Sequence, residues 1–429
     1  MVVGNKNLKA VTVANGTEVI AANAFAVAKN ATTISFPASL KAVEDKALDA
    51  TAWFTTQNGI VYAGPVLYKV KGDVANVQIK DGTKAIAPYA VNNAAVKSVS
   101  IPRTVELIGD YAFSGSGLTL VTIPDTVKAI GVGAFANSKA LATVNLSAAI
   151  AIDTIEAATF KGCEKLAKIV IPAAVKVISA DAFAGCAALS SVDLGSVEEI
   201  EQYAFAGCTA LKEVALPATV AVVDAVSFYG CSALEAFSVA EGNAKFSAED
   251  GVVLVASNEE EPVFDTIAIY PAGKAGEYEV PETVFNIADK AFYNCDALTA
   301  INFHANFVNI GAEAFFDCDN IRVIELFEEA RDIGSYSFAS CDNLRQFIVH
   351  SNLTDYEDNA FDGCFYITFD TVTIVDAGGG SKGTFVILVI AVVAVCAIAY
   401  VIYNKKQKKI QQEIIEKNKI KDALEAEKK

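Results

Sequence analysis

Apolar and polar positions along this chain follow one phrase that returns every 22 to 25 residues. The copy beginning at Leu118 shows it in full: Leu118, Val121 and Ile123, then Pro124, Val127, Ile130, Ala134 and Phe135. Further copies begin at Leu8, Ala31, Val74, Val96, Leu141, Leu166, Leu189, Leu211, Ala275, Leu298, Ile321 and Leu344. A fixed period of this size predicts a solenoid, in which a coil buries its apolar face only when neighbours stack on it.

Within L-x-x-V-x-I the apolar fourth and sixth places alternate with small polar ones, the period of a strand with one buried face. Stacked coils would pair these strands in parallel about 4.8 Å apart, so about fourteen coils extend roughly 65 to 70 Å. Proline directly after the strand ends the ladder, because it has no N–H to donate. The V-x-x-I and A-F-x-G-C segments must then turn the chain back across the other side. Alanine beside phenylalanine predicts a short helical turn there, with the phenylalanines stacked into a spine.

Two intervals break the period, from Ala31 to Val74 and from Leu234 to Ala275. Asn58-Gly59 and Asp250-Gly251 precede β-rich runs in them, which predicts hairpins near 54–73 and 241–274 that project from the solenoid. Their expected role is architectural, with a binding lobe as the lesser reading.

The C-terminal region changes character. Residues 378–384 form a Gly-rich linker, and Phe385 to Tyr403 runs nineteen residues without a charge. As a helix that run would span about 28 Å, the thickness of a bilayer core, and so predicts a transmembrane helix at 385–403. The tail 404–429 is Lys-rich, with nine lysines and five acids. By the positive-inside rule the tail is cytoplasmic and residues 1–377 are an extracellular repeat domain, placing the protein in the plasma membrane as a single-pass chain. No leader is recognisable at Met1, which leaves late insertion by the span, unconventional export, an upstream start or a tail-anchored cytosolic arrangement open. The net charge of −17 argues against nucleic acid as a partner, since both would be anionic.

Chemistry is sparse. Eight of the nine cysteines occupy one place in the coil, in columns Cys163, Cys186, Cys208, Cys231 and Cys295, Cys318, Cys341, Cys364. Their side chains on neighbouring rungs lie slightly beyond disulfide range, and Ala28, Ser116 and Ser138 fill the same place, so free buried thiols are expected. His304 and His350 lie two coils apart, too far to share one zinc ion. Asp296, Asp319 and Asp342 form an acidic ladder expected to cap turns. No nucleophile has a histidine at useful spacing, so no enzyme, no metal site and no cofactor are expected.

The outward places of the strands remain as the candidate binding surface. They include Ser98, Ser100, Thr122, Thr143, Asn145, Lys168, Ser191, Asp193, Glu213, Glu277, Glu279, Asn302, Glu325 and Gln346. Small hydroxyl and amide groups on a broad sheet suit an extracellular protein or glycan ligand held by many weak contacts. A glycan on the sequon residue Asn145 would obstruct that face.

The phrase I-P-x-x-V-x-x-I-x-x-x-A-F-x-G-C resembles the BspA-like, treponemal-class leucine-rich repeat over nearly all of residues 8 to 366. The D-G-V-V-L inserts and Tyr270-Pro271-Ala272-Gly273-Lys274 are similar to that family as well. The resemblance implies a leucine-rich-repeat solenoid, a right-handed β/α superhelix with a parallel sheet on the concave face and short helical turns on the other side. Functionally it implies a surface antigen or adhesin of bacteria or mucosal protists, and the C-terminal span with a lysine tail is similar to the protist type. Two alternatives stand beside an adhesin: a single-pass receptor signalling through a cytoplasmic partner of the tail, and a structural surface coat without a ligand.

Overall fold

The alternating phrase builds one wall of short parallel strands. A computed structural model describes residues 8–146, 151–257, 262–327, 329–350, 355–357, 359–364, 367 and 372–374. Strands Leu120–Thr122, Thr143–Asn145 and Lys168–Val170 are typical, each with its middle residue buried and both flanks exposed. Register is strict: Leu120 faces Thr143, Val121 faces Val144 and Thr122 faces Asn145. Coil after coil therefore points the same places inward.

A second wall forms where only a return of the chain was foreseen. The V-x-x-I segment ends in a two-residue strand, as at Leu107–Ile108, Ala129–Ile130, Thr154–Ile155 and Val177–Ile178. These pair in parallel too, Ile108 beside Ile130 and Ile155 beside Ile178.

The third side corrects the expected fold class. The fold is a β-solenoid, and the short helical turns foreseen around A-F-x-G-C do not form. The residue before Ala-Phe adopts a left-handed backbone, with φ 53° at Tyr111 and 59° at Asp181, and so does the residue before the cysteine, with φ 73° at Gly185. Two such residues per coil interrupt any right-handed turn. The donors alternate instead. Tyr111, Phe113 and Gly115 donate to Val132, Ala134 and Ala136 of the next coil, while Ala112, Ser114 and Ser116 donate three residues back. Every second N–H is thus committed to a neighbouring coil, which an α-helix would forbid.

Among the described residues the one α-helix is Ala52–Thr55, capped by Thr51, whose side chain accepts from the Phe54 N–H at 3.1 Å. Among the described residues no helix is long and apolar enough to cross a membrane, as the expected transmembrane helix would be. The run at 385–403 lies outside the described residues.

Both interruptions contain hairpins, Gly59–Ala63 with Val66–Lys71 and Val252–Ala256 with Phe264–Ile269. They are built into the second wall rather than projecting from it. Val66 and Leu67 pair with Ala85 and Ile86, and Thr266 and Ile267 pair with Asn286 and Ile287. Val66, Leu67 and Ile267 are fully buried, so the inserts fill a rung of the core.

Phenylalanines form the expected spine. Phe113, Phe135, Phe160, Phe183, Phe205 and Phe228 stack with centroids 5.1 to 5.5 Å apart. Tyr270 takes the phenylalanine's place after the second hairpin and stacks on Phe292 at 4.6 Å. Buried residues divide there into two columns, Val253 and Ile269 closing the first, Val252, Leu254 and Ile267 opening the second.

Candidate ligand-binding face

All fourteen outward residues expected from the sequence are exposed on the first wall. The strands that carry them are anchored by an inward apolar residue between each outward pair, half-buried Val192 between Ser191 and Asp193 and buried Tyr278 between Glu277 and Glu279. Serine, threonine and asparagine fit these places because a pleated, half-buried surface asks only that the inward residue be apolar.

Several outward side chains bond to the next rung. Ser98 Oγ lies 2.6 Å from Asn76 Oδ1, and Asn145 Nδ2 donates to Thr122 Oγ1 at 3.1 Å. Farther along, Asn302 Nδ2 donates to Glu279 Oε1 at 2.6 Å, and His350 Nε2 lies 2.6 Å from Glu325 Oε1.

Charge divides the face. Strands Asn76–Gln78, Ser98–Ser100, Leu120–Thr122 and Thr143–Asn145 carry no charged residue. From Ser191–Asp193 onward the outward carboxylates of Asp193, Glu213, Glu277, Glu279 and Glu325 dominate. On the second wall, by contrast, charges alternate in sign between coils. Glu106 lies 2.7 Å from Lys128 and 3.3 Å from Lys84, and these lysines hold its carboxyl below the usual range. Among the described residues Glu213 and Glu277 have no such ion pair.

Sequence reasoning missed four kinds of feature here. Asn76 and Gln78, the third and fifth places of the copy that begins at Val74, belong to the face but stand outside the expected set. Leu120, Val170 and Val323 are apolar but stand outward, 49%, 58% and 39% exposed, where a search for polar groups passes over them. A cavity of about 350 Å³ lies along the second wall, lined by Ala42, Ala85 and Ala129 with Glu44, Asp110 and Glu156. Its only sequence signal is the small residue that opens those strands. Tyr203, Tyr229, Tyr293 and Phe316 form an aromatic row with centroids 5.0 to 6.0 Å apart on the turn side.

The titratable groups away from this face serve the fold. The eight described cysteines are free, and all but Cys364 are buried. Each of Cys163, Cys186, Cys231, Cys318 and Cys341 donates its thiol to the phenylalanine carbonyl of the coil before, at 2.9 to 3.3 Å. Burial pushes the Cys186 thiol up to about 12 and the Cys163 and Cys295 thiols well above their ordinary value. Asp296 and Asp319 accept from the Asp319 and Asp342 N–H groups, at 3.1 and 3.2 Å, so the acidic ladder caps turns. Burial, then the neighbouring Asp319 and Asp296, raise the Asp317 carboxyl. His304 Nε2 lies 2.7 Å from the Val284 carbonyl, and His350 stacks on Phe327 at 5.4 Å.

Known proteins share this architecture. A family profile described as BspA type leucine rich repeat region, in six copies, matches residues 3–58, 64–186, 148–249 and 270–376. A leucine rich cell surface protein of Faecalibacterium prausnitzii is similar in structure, with TM-score 0.57 and 24% identity over 74% of this chain and 91% of that one. A leucine-rich repeat protein of Bacteroides ovatus gives TM-score 0.52 and 23% identity over 83% of this chain and 85% of that one. At these identities the likeness concerns the fold. No curated protein sequence matches.

Proposed function

From a chain that belongs to the BspA-type leucine-rich repeat family, we propose a cell-surface adhesion protein that presents its first wall to an extracellular protein or glycan ligand. The observation that carries this reading is the face itself: fourteen outward residues spread over successive coils, all exposed, with paired strands aligned as Thr122 with Asn145 and Lys168 with Ser191. Its polar groups are spread along the rungs, meeting in pairs such as Ser98 with Asn76 and Asn145 with Thr122. Such a face suits a ligand that lies across many rungs, where each contact is weak and the number of contacts supplies affinity. The cell-surface description of the Faecalibacterium protein supports display of the repeats outside the cell.

A binding assay of the purified chain against immobilised cells and extracellular-matrix components tests the reading. Saturable binding that Glu277→Lys or Thr122→Lys on the first wall weakens, and that Lys176→Glu on the second wall leaves alone, is the expected result. A chain that binds none of these surfaces would be a structural coat instead.

A further inference from the structure

The first wall is not uniform, and its uncharged part names a ligand class. Four neighbouring strands, Asn76–Gln78 through Thr143–Asn145, present eight outward places without one charge. At the roughly 25–35% charge of a soluble protein surface, about two or three of eight such places would be charged. The run contrasts with the carboxylates that follow it at Asp193, Glu213 and Glu277.

The groups that replace charge are hydroxyls and amides, and their directions are set in advance. Ser98 with Asn76, and Asn145 with Thr122, bond across rungs at 2.6 and 3.1 Å. A side chain already held in one rotamer loses less entropy when a ligand arrives. Leu120, 49% exposed, stands beside Thr122 and offers an apolar contact within the same lattice. A charged partner would give up hydration here without meeting an opposite charge, whereas neutral hydroxyls exchange one hydrogen bond for another.

We infer that this four-strand zone binds a neutral, extended polysaccharide laid across the rungs. Within each paired ladder, Asn76–Gln78 with Ser98–Ser100 and Leu120–Thr122 with Thr143–Asn145, the rungs lie about 4.8 Å apart, and an extended hexose chain advances by a similar distance per sugar. Each sugar then presents hydroxyls to one rung, and the sugar over Leu120–Thr122 sets a C–H face against Leu120. This inference rests on the adhesion reading and narrows its ligand.

Calorimetric titration of the full-length protein with a panel of neutral glycans, a β-glucan, a mannan and a galactan, beside a sulfated polysaccharide, tests it. At least one neutral glycan should bind, and the sulfated one should not. The double variant Thr122→Ala with Asn145→Ala should weaken binding about tenfold, two modest hydrogen bonds' worth, with an unchanged circular-dichroism spectrum. Lys176→Gln on the second wall should leave it unchanged. Equal weakening by Lys176→Gln, no effect of the double variant, or preference for the sulfated glycan would overturn the inference. Failure of every neutral glycan while the chain still binds cells or matrix would remove this inference and leave the adhesion reading standing; failure of both would remove both.

Discussion

The thiol of Cys318 donates to the carbonyl oxygen of Phe292, one coil earlier, at 2.9 Å. That carbonyl already accepts the N–H of Cys295 at 3.2 Å, so the thiol supplies its second hydrogen bond. Ser138 does the same with its hydroxyl toward Phe113 at 2.8 Å, which shows that a hydroxyl is geometrically acceptable here. Cys318→Ser should therefore change stability by no more than about 1 kcal/mol. Cys318→Val removes the donor and adds a branch in a closed space, and should cost about 1–3 kcal/mol. Urea denaturation of both variants checks the order, and a serine variant weaker than the valine one would show that packing alone governs this place.

Thiol burial also sets a pH response. Cys186 has its thiol pushed up to about 12, against an ordinary value of 9.0 that the unfolded chain would regain. Above pH 9 the unfolded state sheds this proton while the folded state keeps it, so the unfolded state is favoured as pH rises. The stabilisation is fully present below pH 9 and is lost between about 9 and 12. Thermal unfolding should thus be insensitive to this group from pH 7 to 9 and move to lower temperature beyond. Alkylation at pH 8 offers a second measurement: the buried thiols should react only after denaturant is added.

The left-handed residues are open to a direct test. Ala158 has φ 55°, a conformation that costs a residue with a Cβ about 1–2 kcal/mol. Glycine relieves that cost but enlarges the unfolded ensemble by about 0.4–1 kcal/mol, so Ala158→Gly should gain somewhat less than 1 kcal/mol. Gly185, at φ 73°, is the converse, and Gly185→Val should lose about 1–2 kcal/mol. Gly185→Asn should lose less, because Asn137 and Asn294 hold the same place at φ 57°. Denaturation midpoints in this order would support the account; a midpoint for Ala158→Gly below that of the parent would contradict it.

These residues also explain what could and could not be read from the chain. Val121 and Ile123 alternate with polar neighbours, so the first wall and its outward places were legible. Phe135 and Phe160 recur at the period, so the spine was too. The turn side was misread because its left-handed places hold Tyr111, Ala158, Asp181 and Lys290, residue types with no shared signal for that backbone. Ala129–Ile130 and its counterparts are two residues long, too short to display a strand period. On the binding face, the uncharged zone emerges when the coil of Asn76, just after the first hairpin, is set beside that of Ser98.

Unpartnered hydroxyls in the core give the last expectation. Tyr278 is buried at the second hairpin, its ring 5.2 Å from Tyr270, and its hydroxyl has no hydrogen-bond partner. Burial pushes this phenol well above its ordinary value, as expected of a group held away from water. Ser337 stands where Ala134 and Ala182 stand in other coils, and its Oγ is also without a partner. Thr159 occupies the same place but donates to the Glu156 carbonyl at 2.6 Å, so its hydroxyl carries no such penalty. A buried polar atom left unmatched costs about 1–3 kcal/mol, and removing it without changing shape recovers part of that. Tyr278→Phe and Ser337→Ala should each raise stability by about 1 kcal/mol, and the two gains should add, since the residues lie in separate coils without a shared partner. Thr159→Ala should lower it. Chemical denaturation of the three variants decides the matter: a lower midpoint for Tyr278→Phe would mean that its hydroxyl bonds to something within the core.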